Sequence, residues 1–159
     1  MKRLAALAAI LLIPALALAE MDYGKGVNWL SLKDGLDKAK KEKKPVIVDF
    51  AVDPVKCPRC SFLAKNVYSS SEIVAKINDE FVPVLIDLGK DITPEEKSLG
   101  DKYDFKNDCM LLFLDYEANI IKDPLGKTMC FIDKVEPEVF IDYLEYVKEK
   151  YVPYKPKPQ

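Results

Sequence analysis

The feature that most constrains the fold is a short apolar strand that leads directly into a pair of cysteines and then a helix. Residues 46–52 are almost wholly apolar and rich in β-branched side chains, which is typical of a buried central strand. Cys57-Pro58-Arg59-Cys60 follows after a short loop and opens a segment with helical spacing of apolar residues. A Cys-x-x-Cys pair between a buried strand and a helix N-terminus indicates thiol chemistry at the edge of a sheet.

The remaining pattern predicts an α/β fold with a mixed central sheet. Strands are expected at residues 46–52, 81–88, 110–114 and 120–132, the last interrupted near Asp123-Pro124. Helices are expected over residues 28–43, after the cysteine pair, after the caps at 69–72 and 93–96, and from 137 to about 151. A right-handed strand-helix-strand crossover gives parallel neighbours, and the later strand pair adds antiparallel ones. We therefore expect a three-layer sandwich with helices on both faces of about four strands.

The first nineteen residues have the pattern of a secretory signal peptide. Lys2 and Arg3 precede an apolar run that closes on a small-x-small motif at Ala19, and Glu20 begins the polar chain. A retained membrane anchor is the alternative, but the run is shorter than the roughly 20 apolar residues that span a bilayer, and Pro14 interrupts it. We expect the mature chain to be exported and to begin at Glu20, without a membrane span.

The composition of the mature chain excludes several functional classes. Removal of residues 1–19 takes away two cations and no anions, so the formal net charge changes from −2 to −4, which argues against nucleic-acid binding. The chain has no histidine, which excludes Ser-His-Asp, Cys-His and histidine-ligated metal sites. One domain is predicted over residues 20–152, followed by an extended Pro/Lys tail at 153–159.

Three segments together resemble the thioredoxin-like superfamily: residues 44–50, the Cys57-x-x-Cys60 pair, and residues 81–84. The resemblance covers roughly residues 28–150 and is strongest to an exported branch related to the C-terminal domain of bacterial transmembrane thiol:disulfide interchange proteins. It implies a thioredoxin-like sandwich and a monomeric, periplasmic thiol:disulfide oxidoreductase without a cofactor. The implied partners are protein thiols and disulfides, with a membrane reductant transporter as a candidate redox partner.

The chemistry of the motif agrees with that resemblance. Cys57 lies at the helix N-terminus, where the helix dipole and the charges of Lys56 and Arg59 favour a thiolate, so it is the predicted nucleophile. Cys60, one turn later, is the predicted resolving thiol. Lys56, Pro58 and Arg59 are placed on the substrate-facing rim. The alternative is a structural disulfide, although so short a loop gains little closure entropy.

Asp49 is the second residue of interest, because it matches the family's buried acid beneath the cysteine pair. A desolvated carboxyl group there could accept the proton of the resolving thiol. The alternative is an acid at a strand end that reaches water. The loop at residues 53–56 is two residues longer than the common family pattern, and Lys56 stands where the family usually carries tryptophan.

Two further cysteines stand at unusual places. By resemblance, Cys109 occupies the position of the family's cis-proline and Cys130 that of a glycine beside it, so both are placed on the substrate-facing rim near Cys57 and Cys60. One interpretation is a second disulfide, Cys109–Cys130. Another is a site in which all four cysteines bind zinc, copper or an iron–sulfur cluster, as a metal carrier or electron-transfer module. A third is a purely structural or interaction domain. Each extra cysteine could also be a chance replacement, since a lone cysteine often behaves as a small buried hydrophobe, in an ordinary enzyme with the single couple Cys57 and Cys60.

Overall fold

Four strands form a mixed sheet in residues 23–105 and 110–151, the part of the chain that the computed structural model describes. They are β1 (Val46–Ala51), β2 (Val82–Asp87), β3 (Leu111–Leu114) and β4 (Cys130–Phe131). Their order across the sheet is β2-β1-β3-β4. The β1–β2 pair is parallel, and the other two pairs are antiparallel. The predicted mixed sheet is thus confirmed.

Helices cover both faces of this sheet. They are α1 (Leu32–Glu42), α2 (Pro58–Phe62), which runs directly into a π-helix (Leu63–Val67), α3 (Ser71–Glu80), α4 (Pro94–Lys102) and α5 (Pro137–Tyr151). One apolar cluster joins the sheet to α2, the π-helix, α3 and α5, and a second joins it to α1 and α4. The three predicted layers follow from these two clusters.

The alternation of side chains along β1 determines on which face of the sheet Asp49 lies. Val48 and Phe50 belong to the cluster on the α1 side, whereas Ile47 and Ala51 belong to the cluster on the α2 side. Because successive side chains of a strand point to opposite faces, Asp49 lies on the same face as Ile47 and Ala51. The acid therefore faces the helix that begins with the cysteine pair.

The predicted fourth strand is much shorter in the structure. Of the predicted residues 120–132, only Cys130 and Phe131 form β4, and Ile120 and Lys122 make isolated bridges. Asp123 accounts for the break, because its carboxylate accepts the backbone N–H groups of residues 125 and 127 and so forms a turn.

The first helix begins later than predicted. The Ser31 hydroxyl accepts the backbone N–H of Asp34 and caps α1, so the helix starts at Leu32 and not near residue 28. Leu30 instead pairs with Val84 in a parallel bridge at the edge of β2. The residues before α1 thus extend the sheet.

The predicted signal peptide at residues 1–19 and the tail at residues 153–159 lie outside the described residues. Within the described ranges, no helix is long and apolar enough to cross a membrane.

Gly35 sets the distance between α1 and the sheet. A Cβ atom at this position would lie 2.2 Å from Cγ2 of Val84 on β2, far inside van der Waals contact. Val84 has little freedom to move away, because it is fully buried and β-branched. The helix packs this closely only because residue 35 has no side chain.

We therefore expect Gly35→Ala to destabilise the protein, although alanine is the better helix former by about 1 kcal/mol. Overpacking of a filled core costs about 1–3 kcal/mol, and the 2.2 Å approach places this site near the upper end. Urea unfolding should show a net loss of about 1–2 kcal/mol. Lys38→Ala, at an exposed position of the same helix, is the control and should change little. Equal stability of the two variants would contradict the packing argument.

Candidate active site

Cys57 and Cys60 are joined by a disulfide at the N-terminus of α2. Their Cα atoms are 5.2 Å apart, within the usual range for a disulfide. Cys57 is partly exposed, whereas Cys60 is fully buried. A reagent or partner sulfur approaching from solvent therefore reaches Cys57 first.

The local sequence explains why the chain turns into a helix at this point. Cys57 is the N-cap of α2 with extended backbone angles, and its sulfur accepts the backbone N–H of Cys60 at 3.0 Å. Pro58 occupies the first helical position, where its missing N–H costs nothing. The Cys57 sulfur thus lies where helix N–H groups stabilise negative charge.

The loop before the motif exposes the rim residues Lys56 and Pro58. Asp53 organises this loop, because its carboxylate accepts the Val55 N–H at 3.0 Å and its carbonyl accepts the Lys56 N–H at 2.9 Å. Val55 is 91% exposed as a result. The loop thus presents an apolar side chain, Val55, and a cation, Lys56, just before Cys57.

Arg59 corrects the predicted rim. Its side chain is only 6% exposed and turns inward, where Nη2 donates to Oδ1 of Asp49 at 2.9 Å. Nη1 lies 3.4 Å from the Phe50 carbonyl oxygen. The placement of Arg59 on the substrate-facing rim was wrong, because its guanidinium turns inward and pairs with the buried Asp49 carboxylate beneath the motif.

Asp49 is fully buried and accepts hydrogen bonds from three side chains. Besides the bond from Arg59 to Oδ1, its Oδ2 accepts from the hydroxyls of Tyr23 at 2.6 Å and Tyr68 at 2.7 Å. The alternative of a strand-end acid in contact with water is therefore wrong. The predicted role of Asp49 as acceptor of the Cys60 proton stays a prediction.

The protonation of the three donors follows from their burial. Desolvation, reinforced by the charge of Asp49, raises the pKa of both Tyr23 and Tyr68 well above the ordinary phenol value. Burial lowers the pKa of Arg59, but the attraction of Asp49 and its hydrogen bond outweigh that effect and raise it overall. All three groups therefore remain protonated donors at neutral pH.

The two tyrosines were missed at the sequence level. Tyr23 precedes α1 and Tyr68 follows the π-helix, so neither lies in the motif or in its helical pattern. Their rings meet edge to face at 5.4 Å, and Trp29 packs against both. The Trp29 indole also donates to the Tyr23 carbonyl at 2.8 Å. A buried acid signals that donors must exist, but the sequence does not say which ones.

A residue with left-handed backbone geometry, Gly24, follows Tyr23 and helps to place the Tyr23 side chain beside Asp49. Gly24 has φ of +63°, and a Cβ there would lie 2.9 Å from Cβ of Tyr68. Glycine is the residue that accepts both the positive φ and the close approach.

Cys130 lies at the start of β4, opposite Leu112, and is partly buried. The segment that follows reaches the motif helix, since the Lys134 ammonium lies 5.6 Å from the centre of the Phe62 ring on α2. Cys109 lies outside the described residues, so its predicted closeness to Cys130 and to the couple stays a prediction. Among the described residues alone, no cluster of three or more acidic or cysteine side chains is placed to hold a metal ion.

Comparison with known proteins places this geometry in a family. Residues 28–116, more than half of the 159, match a family model described as thioredoxin-like. No curated protein matches the sequence.

Solved structures share the fold at low sequence identity. A thioredoxin from Thermus thermophilus is 18% identical, with 77% of this chain and 87% of that chain covered and a TM-score of 0.56. A DsbH oxidoreductase is 18% identical, with 78% and 85% covered and a TM-score of 0.57. The reduced C-terminal domain of DsbD from Neisseria meningitidis is 23% identical, with 72% and 92% covered and a TM-score of 0.54.

The predicted resemblance and fold class are confirmed by these matches together with the sheet order. A disulfide-bonded Cys-x-x-Cys pair at the start of α2 stands where the sequence pattern predicts the redox couple of this fold. The chain belongs to the thioredoxin-like family.

Proposed function

We propose that the protein is an exported thiol:disulfide oxidoreductase that exchanges disulfides with protein partners through Cys57 and Cys60. The observation that carries the proposal is the asymmetry of the couple. Cys57 is partly exposed and its sulfur accepts a helix N–H, whereas Cys60, one turn later, is fully buried. This is the arrangement that an attacking and a resolving thiol require.

Exchange in the reducing direction takes two steps. The Cys57 thiolate attacks a partner disulfide, forms a mixed disulfide and releases one partner sulfur as a thiolate. Cys60 then attacks the Cys57 sulfur, so that the Cys57–Cys60 bond forms and the second partner sulfur leaves. The partner gains two electrons and the couple loses two. Oxidation of a partner dithiol runs through the same steps in reverse.

Export is part of the proposal because of the signal-peptide pattern in residues 1–19. An oxidising compartment such as the periplasm permits a couple of this kind to cycle between its two states. The exposed Val55 and Lys56 next to Cys57 suit a protein partner that brings an apolar and an acidic side chain beside its own sulfur.

A second disulfide, Cys109–Cys130, is also proposed. The four-cysteine metal site would use the same two sulfurs, those of Cys57 and Cys60, that disulfide exchange needs. A disulfide between the remaining two is compatible with catalysis by Cys57 and Cys60, whereas the metal site is not.

Cys57→Ser should abolish disulfide reductase activity, lowering the rate by several orders of magnitude, because it removes the attacking sulfur. Cys60→Ser should instead accumulate mixed disulfides at Cys57, since the resolving thiol is gone. Turnover of a fluorescent disulfide substrate and non-reducing mass spectrometry measure the two effects. Ser61→Ala, the neighbouring position on α2, is the matched control and should remain active. Full activity in Cys57→Ser would exclude the proposed mechanism.

Peptide mapping of the oxidised protein under non-reducing conditions should recover two disulfides, Cys57–Cys60 and Cys109–Cys130. In Cys109→Ser, the thiol of Cys130 should become open to alkylation while the other disulfide persists. Elemental analysis of the reduced protein serves as the control and should find no bound metal in stoichiometric amount. About one zinc or copper ion per chain, lost on any single Cys→Ser change, would establish the metal site instead.

A further inference from the structure

A partner whose disulfide reacts with Cys57 has to lie against the residues that surround this sulfur. In a mixed disulfide the two Cα atoms are usually about 4.4–6.8 Å apart, so the partner's backbone comes this close to Cys57. Cys60 is fully buried, so the partner covers the exposed residues beside Cys57 and not the second cysteine. The side chains beside Cys57 therefore contact whatever residues flank the partner's cysteine.

One cation at this surface comes from the loop before α2. Lys56 directly precedes Cys57 and is exposed. The Asp53 carbonyl accepts the Lys56 N–H at 2.9 Å and so fixes the backbone at this point. A lysine one residue before the attacking cysteine brings its ammonium within reach of a bound partner, because its four-carbon stem is long and flexible.

A second cation comes from the segment after β4. The Lys134 ammonium lies 5.6 Å from the centre of the Phe62 ring, a cation–π distance. Phe62 follows Pro58 by four residues in α2, so the two side chains lie on the same face of the motif helix. Pro58 is exposed directly beside Cys57. The Phe62 ring therefore holds the Lys134 ammonium on the side of α2 that Pro58 presents to a partner.

Neither ammonium is neutralised by an ion pair with a carboxylate in residues 23–105 and 110–151. The acids nearest in sequence are Asp53 and Asp133. Each turns a carboxylate oxygen back to its own loop, Asp53 to the Val55 N–H at 3.0 Å and Asp133 to the Lys134 N–H at 2.8 Å. Aspartate side chains are also much shorter than those of lysine. A partner at contact distance therefore meets the two ammonium groups before the two carboxylates.

We propose that Lys56 and Lys134 select protein partners whose reactive cysteine is flanked by acidic side chains. The selection acts at contact, because the chain as a whole has a formal net charge of −2 and does not attract an acidic partner from a distance. This inference rests on the proposed function, since the two lysines meet a partner only when Cys57 attacks its sulfur.

Exchange kinetics with three matched peptide disulfides test the selection. The peptides have equal length, and glutamate, serine or lysine flanks the cysteine. Their reduction by dithiothreitol gives the intrinsic reactivity by which each rate constant is divided. Each exposed charge pair changes a rate constant by about two- to five-fold, so the reduced wild-type protein should prefer the glutamate to the serine peptide by about four-fold or more at low salt. The lysine peptide should react more slowly than the serine peptide. About 0.5 M sodium chloride should remove most of both differences.

Replacement of each lysine by glutamine removes the charge and keeps the side-chain length. Lys134→Gln and Lys56→Gln should each lower the glutamate-to-serine ratio about two- to five-fold, and the double variant should bring it near one. The ratio is the readout because Lys56 also favours the Cys57 thiolate, so its loss slows exchange with all three peptides alike. Lys38→Gln is the matched control. It makes the same change of net charge at an exposed position of α1, on the opposite face of the sheet, and should leave the ratio unchanged.

A wild-type ratio near one would overturn this inference, and so would a ratio that persists in the double variant. A ratio that falls equally in Lys38→Gln would also overturn it, because net charge would then be the cause. In all three cases exchange with the serine peptide would leave the proposed function intact. Absence of exchange with every peptide would instead defeat the proposed function, and this inference with it.

Discussion

A single buried carboxylate organises the site of this protein. Asp49 lies in the middle of the central strand and receives hydrogen bonds from three separate parts of the chain: Tyr23 before α1, Arg59 in the motif and Tyr68 after the π-helix. A carboxylate in the interior is tolerated only when it is paired and fully hydrogen-bonded, and removal of one ionic partner typically costs about 3–5 kcal/mol. The three segments are therefore held together by their hydrogen bonds to Asp49.

This requirement links the fold to the chemistry of the couple. Arg59, the second variable residue of the motif, points inward and pairs with Asp49 of β1. This contact holds the first turn of α2 against the sheet. Tyr23 and Tyr68 pack edge to face, and Tyr68 also contacts Phe140 of α5, so the polar cluster continues into the aromatic core. The outer surface of the motif is left to Lys56, Pro58 and the Cys57 sulfur.

The sequence predicted what periodicity and local chemistry determine. The buried central strand, the helix that starts at the cysteine pair and the long C-terminal helix have clear patterns, and the structure has all three. The interruption predicted near Asp123-Pro124 is a turn on the Asp123 carboxylate, but the fourth strand was predicted too long, because the residues around that turn make only isolated bridges. The direction of Arg59 could not be predicted, since an arginine beside an exposed cysteine ordinarily reaches solvent. Its contact with Asp49 exists only once β1 and α2 are packed.

The central claim is that Cys57 and Cys60 form a redox-active couple. Equilibrium redox titration of the folded protein is its most direct test. Incubation in buffers of graded glutathione or dithiothreitol ratio, followed by alkylation and mass analysis of the peptide that carries Cys57 and Cys60, gives the midpoint potential. We expect a reversible two-electron transition between about −120 and −270 mV, with the fold retained in both states. A potential below about −300 mV, or reduction only on unfolding, would identify a structural disulfide and contradict the account.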